Sequence, residues 1–233
     1  MRQDTHRHPD GPGRLRAWYP QPVDDDFELL KAWRTGDREA GNALFDRHFD
    51  RLYRFFRNKV SDGAEDLVQQ TFMACVQARD HFRGDASFQT YLYTAARSKL
   101  FTHLRRRRRR DDPIDWGVTS CADLGVSPSG AVAKQEQQQL LLAALRKLPL
   151  EMQIALELFY FEQIRGPQLA ALLEVPEGTV RSRLRRGREL LKDRLERLAD
   201  DNALVESTMS DLEGWAAKIR DGALAQKAPK KST

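Results

Sequence analysis

The stretch PQLAALLEVPEGTVRSRLRRGRELLKDRL, residues 167–195, decides the fold. Pro167–Leu173 is short and apolar, Glu174–Glu177 carries turn chemistry, and a long basic helix follows from Thr179 to about Leu198. In that helix Val180, Leu184, Leu191 and Leu195 recur at helical spacing and share one face. Arg181, Ser182, Arg185, Arg186 and Arg188 fall on the other. A short helix, a tight turn and a longer basic helix describe a helix-turn-helix, whose second helix enters the major groove of DNA. An arginine guanidinium can bond guanine O6 and N7 together, or hold a phosphate. The plainer reading is a solvated basic helix with internal pairs such as Glu189–Lys192, and the turn ahead of the helix weighs against it.

Working outward, residues 135–199 read as one small helical domain. Leu140, Leu141, Ala144, Leu145 and Leu148 form one apolar face, and Ile154, Ala155, Leu158 and Phe161 form the next. Residues 111–134 hold Pro113, Gly117, Gly125, Pro128 and Gly130, and read as a flexible linker, longer than an ordinary helix–helix connection. Residues 24–110 read as a second small helical domain. Asp24–Asp26 can cap a helix that starts at Phe27. Asp37 to Val60 is amphipathic through Ala40, Leu44, Phe45, Phe49, Leu52, Tyr53 and Phe56. A third helix places Ala64, Leu67, Val68, Thr71, Phe72, Cys75 and Val76 inward, and a fourth, from about Ser87 through the arginines, places Phe88, Tyr91, Leu92, Ala95 and Leu100 inward. Period-two alternation is absent, so the fold class is all-α. Residues 1–23 read as a disordered leader. Residues 201–222 read as one further helix with Val205, Met209, Leu212, Ala216 and Ile219 on one side, and a disordered tail follows. Packing of this 200–233 extension on the helix-turn-helix domain is favoured over binding a regulator.

Composition narrows the function. The chain has 233 residues, 39 Lys+Arg and 34 Asp+Glu, for a net charge of +5. Six consecutive arginines, Arg105 to Arg110, exceed that whole excess. Residues 181–199 carry a second basic block. No window approaches the ~18 apolar residues of a membrane helix, and the N-terminus has no apolar signal stretch. Two cysteines, Cys75 and Cys121, cannot build a disulfide framework or a zinc site alone, which fits a reducing cytoplasm. Both read first as ordinary structural thiols. His48, His81 and His103 are scattered, and no cofactor, metal or nucleophile motif stands out, so the chain reads as no enzyme.

Two stretches carry a resemblance. LRKLPLEMQIALELFYFEQIRGPQLAALLEVPEGTVRSRLRRGRELLKDRL, residues 145–195, resembles region 4 of bacterial sigma factors of the extracytoplasmic-function group, in the sigma-70 family. AEDLVQQTFMACVQARDHFRGDASFQTYLYTAARSKLFTHLRRRRRR, residues 64–110, resembles region 2 of the same group. Order and linker length agree, and the likeness covers roughly residues 26–198.

The resemblance implies a subunit that binds core RNA polymerase and directs promoter-specific initiation. It implies that Glu65, Asp66, Gln69 and Gln70 dock on the clamp helices of the largest polymerase subunit. It implies that the −10 element is read as a melted strand by the segment holding Phe88, Tyr91, Tyr93, Arg97, Lys99 and Arg105, since exposed bases suit aromatic and basic groups. Tyr93 and the loop 84–89 are expected to be the more exposed of these, while Phe88 also fits the inner face. The arginine run suits phosphate contact with strong salt dependence. Duplex −35 DNA is assigned to Thr179, Arg181, Ser182, Arg185 and Arg186, with Arg181 and Arg186 favoured for bases, and Arg183 and Arg188 for phosphates or neighbouring side chains. An anti-sigma factor or other regulator is implied as a further partner. Tyr91 stands where the group commonly has Trp, Ser98 where it has Asn, Gln168 where it has Glu, and Gly187 where it has Ala. The alternative function is a stand-alone helix-turn-helix transcriptional regulator. That would call for a sensor or dimerisation domain in place of residues 26–110.

Overall fold

The computed structural model describes residues 24–79, 87–107, 114–123, 136–199 and 202–224. The leader, the loop 80–86, Arg108–Arg110, most of the linker and the tail beyond 224 lie outside them. The described residues form ten α-helices and no strand. They are α1 (Asp24–Arg34), α2 (Arg38–Arg57), α3 (Ala64–Gln77), α4 (Phe88–Arg107), α5 (Glu136–Arg146), α6 (Leu150–Tyr160), α7 (Gly166–Leu173), α8 (Glu177–Glu196), α9 (Asn202–Ser210) and α10 (Leu212–Leu224).

The first group, α1–α4, is built by amphipathic faces. Asp37 ends α1 and starts α2: its carboxylate accepts from the Ala40 amide at 3.1 Å. That satisfies one of the donors a helix start leaves unpaired. Leu44, Leu52, Phe55 and Phe56 then bury along α2 against Leu67 and Val68 of α3 and Leu92 and Leu100 of α4. Gly41 is needed where α1 crosses α2, because a Cβ there would lie 2.5 Å from Cδ1 of Trp33. α1 begins at Asp24, three residues before the expected start. Asp25 and Asp26 face Arg47, and Asp26 also meets His48 Nε2 at 2.7 Å. Burial alone would raise the Asp26 pKa, but His48 and Arg47 hold it below its usual value.

The second group, α5–α8, packs α5, α6 and α7 around α8. The C-terminal extension adds two helices where the sequence reads as one. They break at Asp211, whose carboxylate accepts from the Gly214 amide at 3.0 Å and starts α10. Val205, Leu212, Trp215, Ala216 and Ile219 join Leu141, Leu145, Leu191 and Leu195 in one apolar cluster. The expected packing of this extension on the helix-turn-helix is therefore what the structure has.

The two groups are not separate bodies. One apolar cluster runs from Leu52 and Leu92 in the first to Ile154, Leu158, Leu169 and Leu172 in the second. Part of the linker is packed as well. Trp116 stacks on Phe101 of α4 with ring centres 4.9 Å apart. The Trp116 and Thr119 carbonyls accept from the amides of Glu151 and Leu150, at the start of α6. Cys121 is fully buried and its thiol lies 3.4 Å from Gln153 Oε1.

Candidate nucleic-acid interface

Helix α8 has one dry side and one wet side. Val180, Gly187, Leu191 and Leu195 are buried. Arg181, Arg185, Arg186 and Arg188 are exposed. The turn before it is closed by Glu174, which adopts φ +57° as the cap of α7. Gly187 has a packing reason: an added Cβ would lie 3.2 Å from Cδ1 of Leu156, so α6 and α8 touch there. Arg183 turns inward and pairs with Glu151 of α6. Arg185 pairs with Glu189 one turn on at 2.9 Å, and Arg188 donates to the Tyr160 hydroxyl at 3.2 Å. Ser182 donates to the Thr179 carbonyl. Arg181 and Arg186 make no hydrogen bond or ion pair among the described residues. Their donors are free for a ligand. Glu177 starts the helix and Pro176 caps it without a side-chain bond.

Helix α3 presents a different surface. Glu65, Asp66, Gln69 and Gln70 are all exposed along it. With Met73, Gln77 and Lys99 of α4, the last three of these four line an open groove. Met73 is 55% exposed and Val76 42%. Val76 was expected inward. The inner face of α3 stops at Cys75, whose thiol burial pushes up to about 12. Exposed apolar side chains among amides mark a protein-docking surface better than amides alone. The sequence carries this signal at Met73, one turn beyond Gln69.

Helix α4 departs most from expectation. Phe88 is 3% exposed and Tyr93 0%, so neither faces solvent. Tyr91 is half-buried against the core, and burial raises its phenol pKa. Arg97 reaches Glu174 at 3.1 Å and lies over the Phe101 ring. Lys99 belongs to the α3 groove, not to the Arg97 side. Arg105 is exposed, as are Arg106 and Arg107, and Arg107 meets Asp62 at 2.6 Å.

Residues 44–110 match Sigma-70 region 2, and residues 138–191 match Sigma-70, region 4. The RNA polymerase sigma-H factor of Pseudomonas aeruginosa is 30% identical over 188 residues, covering 75% of this chain and 96% of that protein. The chain belongs to the sigma-70 family of RNA polymerase sigma factors. It falls in the extracytoplasmic-function group: the sigma-E factor of Escherichia coli K12, of that group, is 27% identical over 182 residues, or 74% of this chain and 95% of the relative. CnrH, solved in complex with the cytosolic domain of CnrY, shares the fold, with a TM-score of 0.57 at 24% identity over 76% of this chain and all of that one. The sigma factor RpoE of Bartonella quintana, solved with the anti-sigma factor NepR, gives 0.50 at 22% identity, covering 75% and 95%.

As a sigma factor the chain directs RNA polymerase to promoters, and the reading as a stand-alone regulator is not favoured. The family's role is non-catalytic. No helix of the described residues is long and apolar enough to cross a membrane. For this sigma factor the main correction is at α4. Sequence periodicity predicts one inner face, whereas α4 is covered by α3 on one side and α7 on the other. Tyr93, expected to be open, is enclosed instead by Phe55 of α2, whose ring centre lies 5.4 Å away, and by Glu162 between α6 and α7.

Proposed function

We propose that promoter reading is divided among three surfaces. The exposed α3 side chains Glu65, Asp66, Gln69 and Gln70 dock on the clamp helices of the largest polymerase subunit, with Met73 and Val76 as apolar contacts. Arg105–Arg107 hold phosphates, and Tyr91 and Arg97 meet the melted −10 strand. Phe88 supports that face from the core, and Tyr93 joins it once uncovered. Arg181 and Arg186 read −35 bases, while Thr179, Ser182 and Arg185 hold the flanking backbone. The observation that carries this reading is the pair of exposed, unpaired guanidiniums on a helix whose other face is locked into the core. Free planar donors on a docked helix suit guanine edges.

The compartment is the bacterial cytoplasm, where polymerase and promoter DNA are found. An anti-sigma factor is a further partner, a reading supported by the folds shared with sigma factors solved alongside such proteins. Reconstitution with core polymerase on a promoter library tests the whole reading. Alanine at Arg181 and Arg186 should weaken promoter recognition and spare core binding. Alanine at Asp66 and Gln69 should do the reverse. If every variant lost both activities together, the division of roles would be wrong.

A further inference from the structure

Arg181, Arg185 and Arg188 stand at i, i+4 and i+7 on α8 and so share one stripe of its exposed face. Their surroundings differ. Arg181 has no partner among the described residues, and Arg185 pairs with the Glu189 carboxylate at 2.9 Å. Arg183, on the inner side, is likewise tied to a carboxylate, that of Glu151. Arg188 has a neutral partner instead: its Nη1 donates to the Tyr160 hydroxyl at 3.2 Å.

A carboxylate and a phenol do different things to a guanidinium. The carboxylate cancels its charge and must be displaced before another anion binds. The phenol oxygen fixes the direction of the fork and leaves the full charge in place. A guanidinium has five N–H donors, so one bond to a hydroxyl leaves the others for a second acceptor. Tyr160 is itself firmly held. It is 6% exposed, and its ring meets that of Phe159 edge-on with centres 4.8 Å apart. It shares an apolar cluster with Leu145, Leu191, Trp215 and Ile219. Trp215 and Ile219 belong to α10, so the C-terminal extension, which lies beyond the region 4 match, helps to enclose the ring.

The place of Arg188 along α8 decides what it reaches. Seven residues at ~1.5 Å each put it about 10 Å beyond Arg181 along the axis. In a helix-turn-helix the first residues of the second helix meet base edges. The major groove is ~12 Å wide, so a side chain that far along the same stripe stands at the groove wall, where the phosphates run. A charged, planar fork suits phosphate oxygens. A side chain already held in place also loses less freedom on binding.

We propose that Arg188 is a phosphate contact of the −35 interface and that Tyr160 is its positioning residue, holding the guanidinium in its bound direction before DNA arrives. The proposal rests on the reading of α8 as the helix that meets −35 duplex.

Holoenzyme reconstituted with core polymerase, bound to promoter duplexes over a range of salt, tests it. Arg188→Ala should weaken binding several-fold, by the same factor for every −35 sequence. It should also reduce the slope of log affinity against log salt by about 0.9, the share of one phosphate. Tyr160→Phe keeps the packed ring and removes only the hydroxyl. It should weaken binding several-fold with −35 discrimination unchanged, and in the Arg188→Ala background it should cost nothing further. An equal loss from Tyr160→Phe in both backgrounds would show a structural role alone and overturn the positioning. Unchanged affinity and slope in Arg188→Ala, with Arg181→Ala still losing discrimination, would overturn the phosphate contact and leave the promoter reading standing. If Arg181→Ala kept full discrimination as well, the promoter reading would fall with it.

Discussion

Helices α4 and α8 are each 20 residues long and rich in arginine, yet they sit in the molecule differently. α8 buries a single line of residues, Val180, Gly187, Leu191 and Leu195, and keeps Arg181, Arg185, Arg186 and Arg188 in water. α4 buries Phe88, Thr90, Leu92, Tyr93, Ala96, Leu100, Phe101 and Leu104, which go around more than one face. A helix that reads intact duplex needs one face permanently docked and one permanently free. On the proposed division of roles, α4 handles bases only after they leave the stack, so it can be covered while idle. The arginines follow the same split: Arg181 and Arg186 are free, and Arg97 is tied to Glu174.

The largest effects should come from the dry faces. Leu100 on α4 and Leu191 on α8 are both fully buried. Replacing either with Ala should cost about 2–5 kcal/mol, through lost burial and the cavity left behind. Urea denaturation followed by circular dichroism measures it. Leu100 lies in the apolar cluster that spans both groups and Leu191 in the adjoining cluster of the second group, which meets it at Phe159 and Leu184, so each variant should shift a single cooperative transition. Two transitions, only one of which moves, would show that α4 and α8 belong to independently folding bodies.

Next come the wet faces. Arg181→Ala or Arg186→Ala should each remove about 1–3 kcal/mol of discrimination at a −35 base pair. Neither should move the unfolding midpoint, since neither side chain has a partner to lose. Arg183→Ala should behave in the opposite way, because it leaves Glu151 half-buried and unpaired. Competition binding of duplexes with single −35 substitutions, alongside thermal unfolding, separates the two behaviours.

The contrast between the two helices also shows what a sequence can reveal. The burial of α8 was legible because its apolar residues keep a helical period and its arginines stay off that line. The groups on α3 were legible for the same reason. The second cover of α4 was not, because it depends on residues far away in the chain. Lys59 and Glu157 are 98 positions apart, and neither looks apolar. A lysine after an amphipathic helix reads as solvent-facing until the fold brings a carboxylate to it. The anchoring of Trp116 and Cys121 was hidden for another reason. Isolated apolar residues between glycines and prolines have no period to follow. In the C-terminal extension the apolar spacing predicts the buried face but not the break at Asp211, since an Asp inside an amphipathic run reads equally as a surface residue or a cap.

Gly187→Ala tests whether the close approach of α6 and α8 outweighs helix propensity. Alanine gains about 1 kcal/mol in a helix interior over glycine. Here its methyl group would press on the buried Leu156, whose Cδ1 would lie 3.2 Å away. The two effects oppose each other, and the net change should be a loss of up to about 2 kcal/mol, since overpacking a core commonly costs about 1–3 kcal/mol. A gain in the unfolding midpoint would mean that the α6–α8 contact yields easily. In that case the docked face of α8 would be less rigid than its burial implies.

The smallest effect lies on the free face itself. Arg185 and Glu189 are paired at 2.9 Å with both side chains exposed. Such a pair one helical turn apart contributes about 0.3–0.5 kcal/mol and is screened by salt. Glu189→Ala should therefore lower stability by no more than that, with the difference vanishing at high ionic strength. Its effect on DNA should be of the opposite sign. Without the carboxylate, Arg185 no longer has to leave a partner in order to reach a phosphate, and one negative charge is gone from the reading face. Binding to −35 duplex should tighten slightly, and the slope of affinity against salt should steepen if Arg185 takes up a phosphate contact. Unchanged affinity and unchanged slope would place Arg185 outside the DNA footprint, leaving Arg181 and Arg186 as the readers on α8.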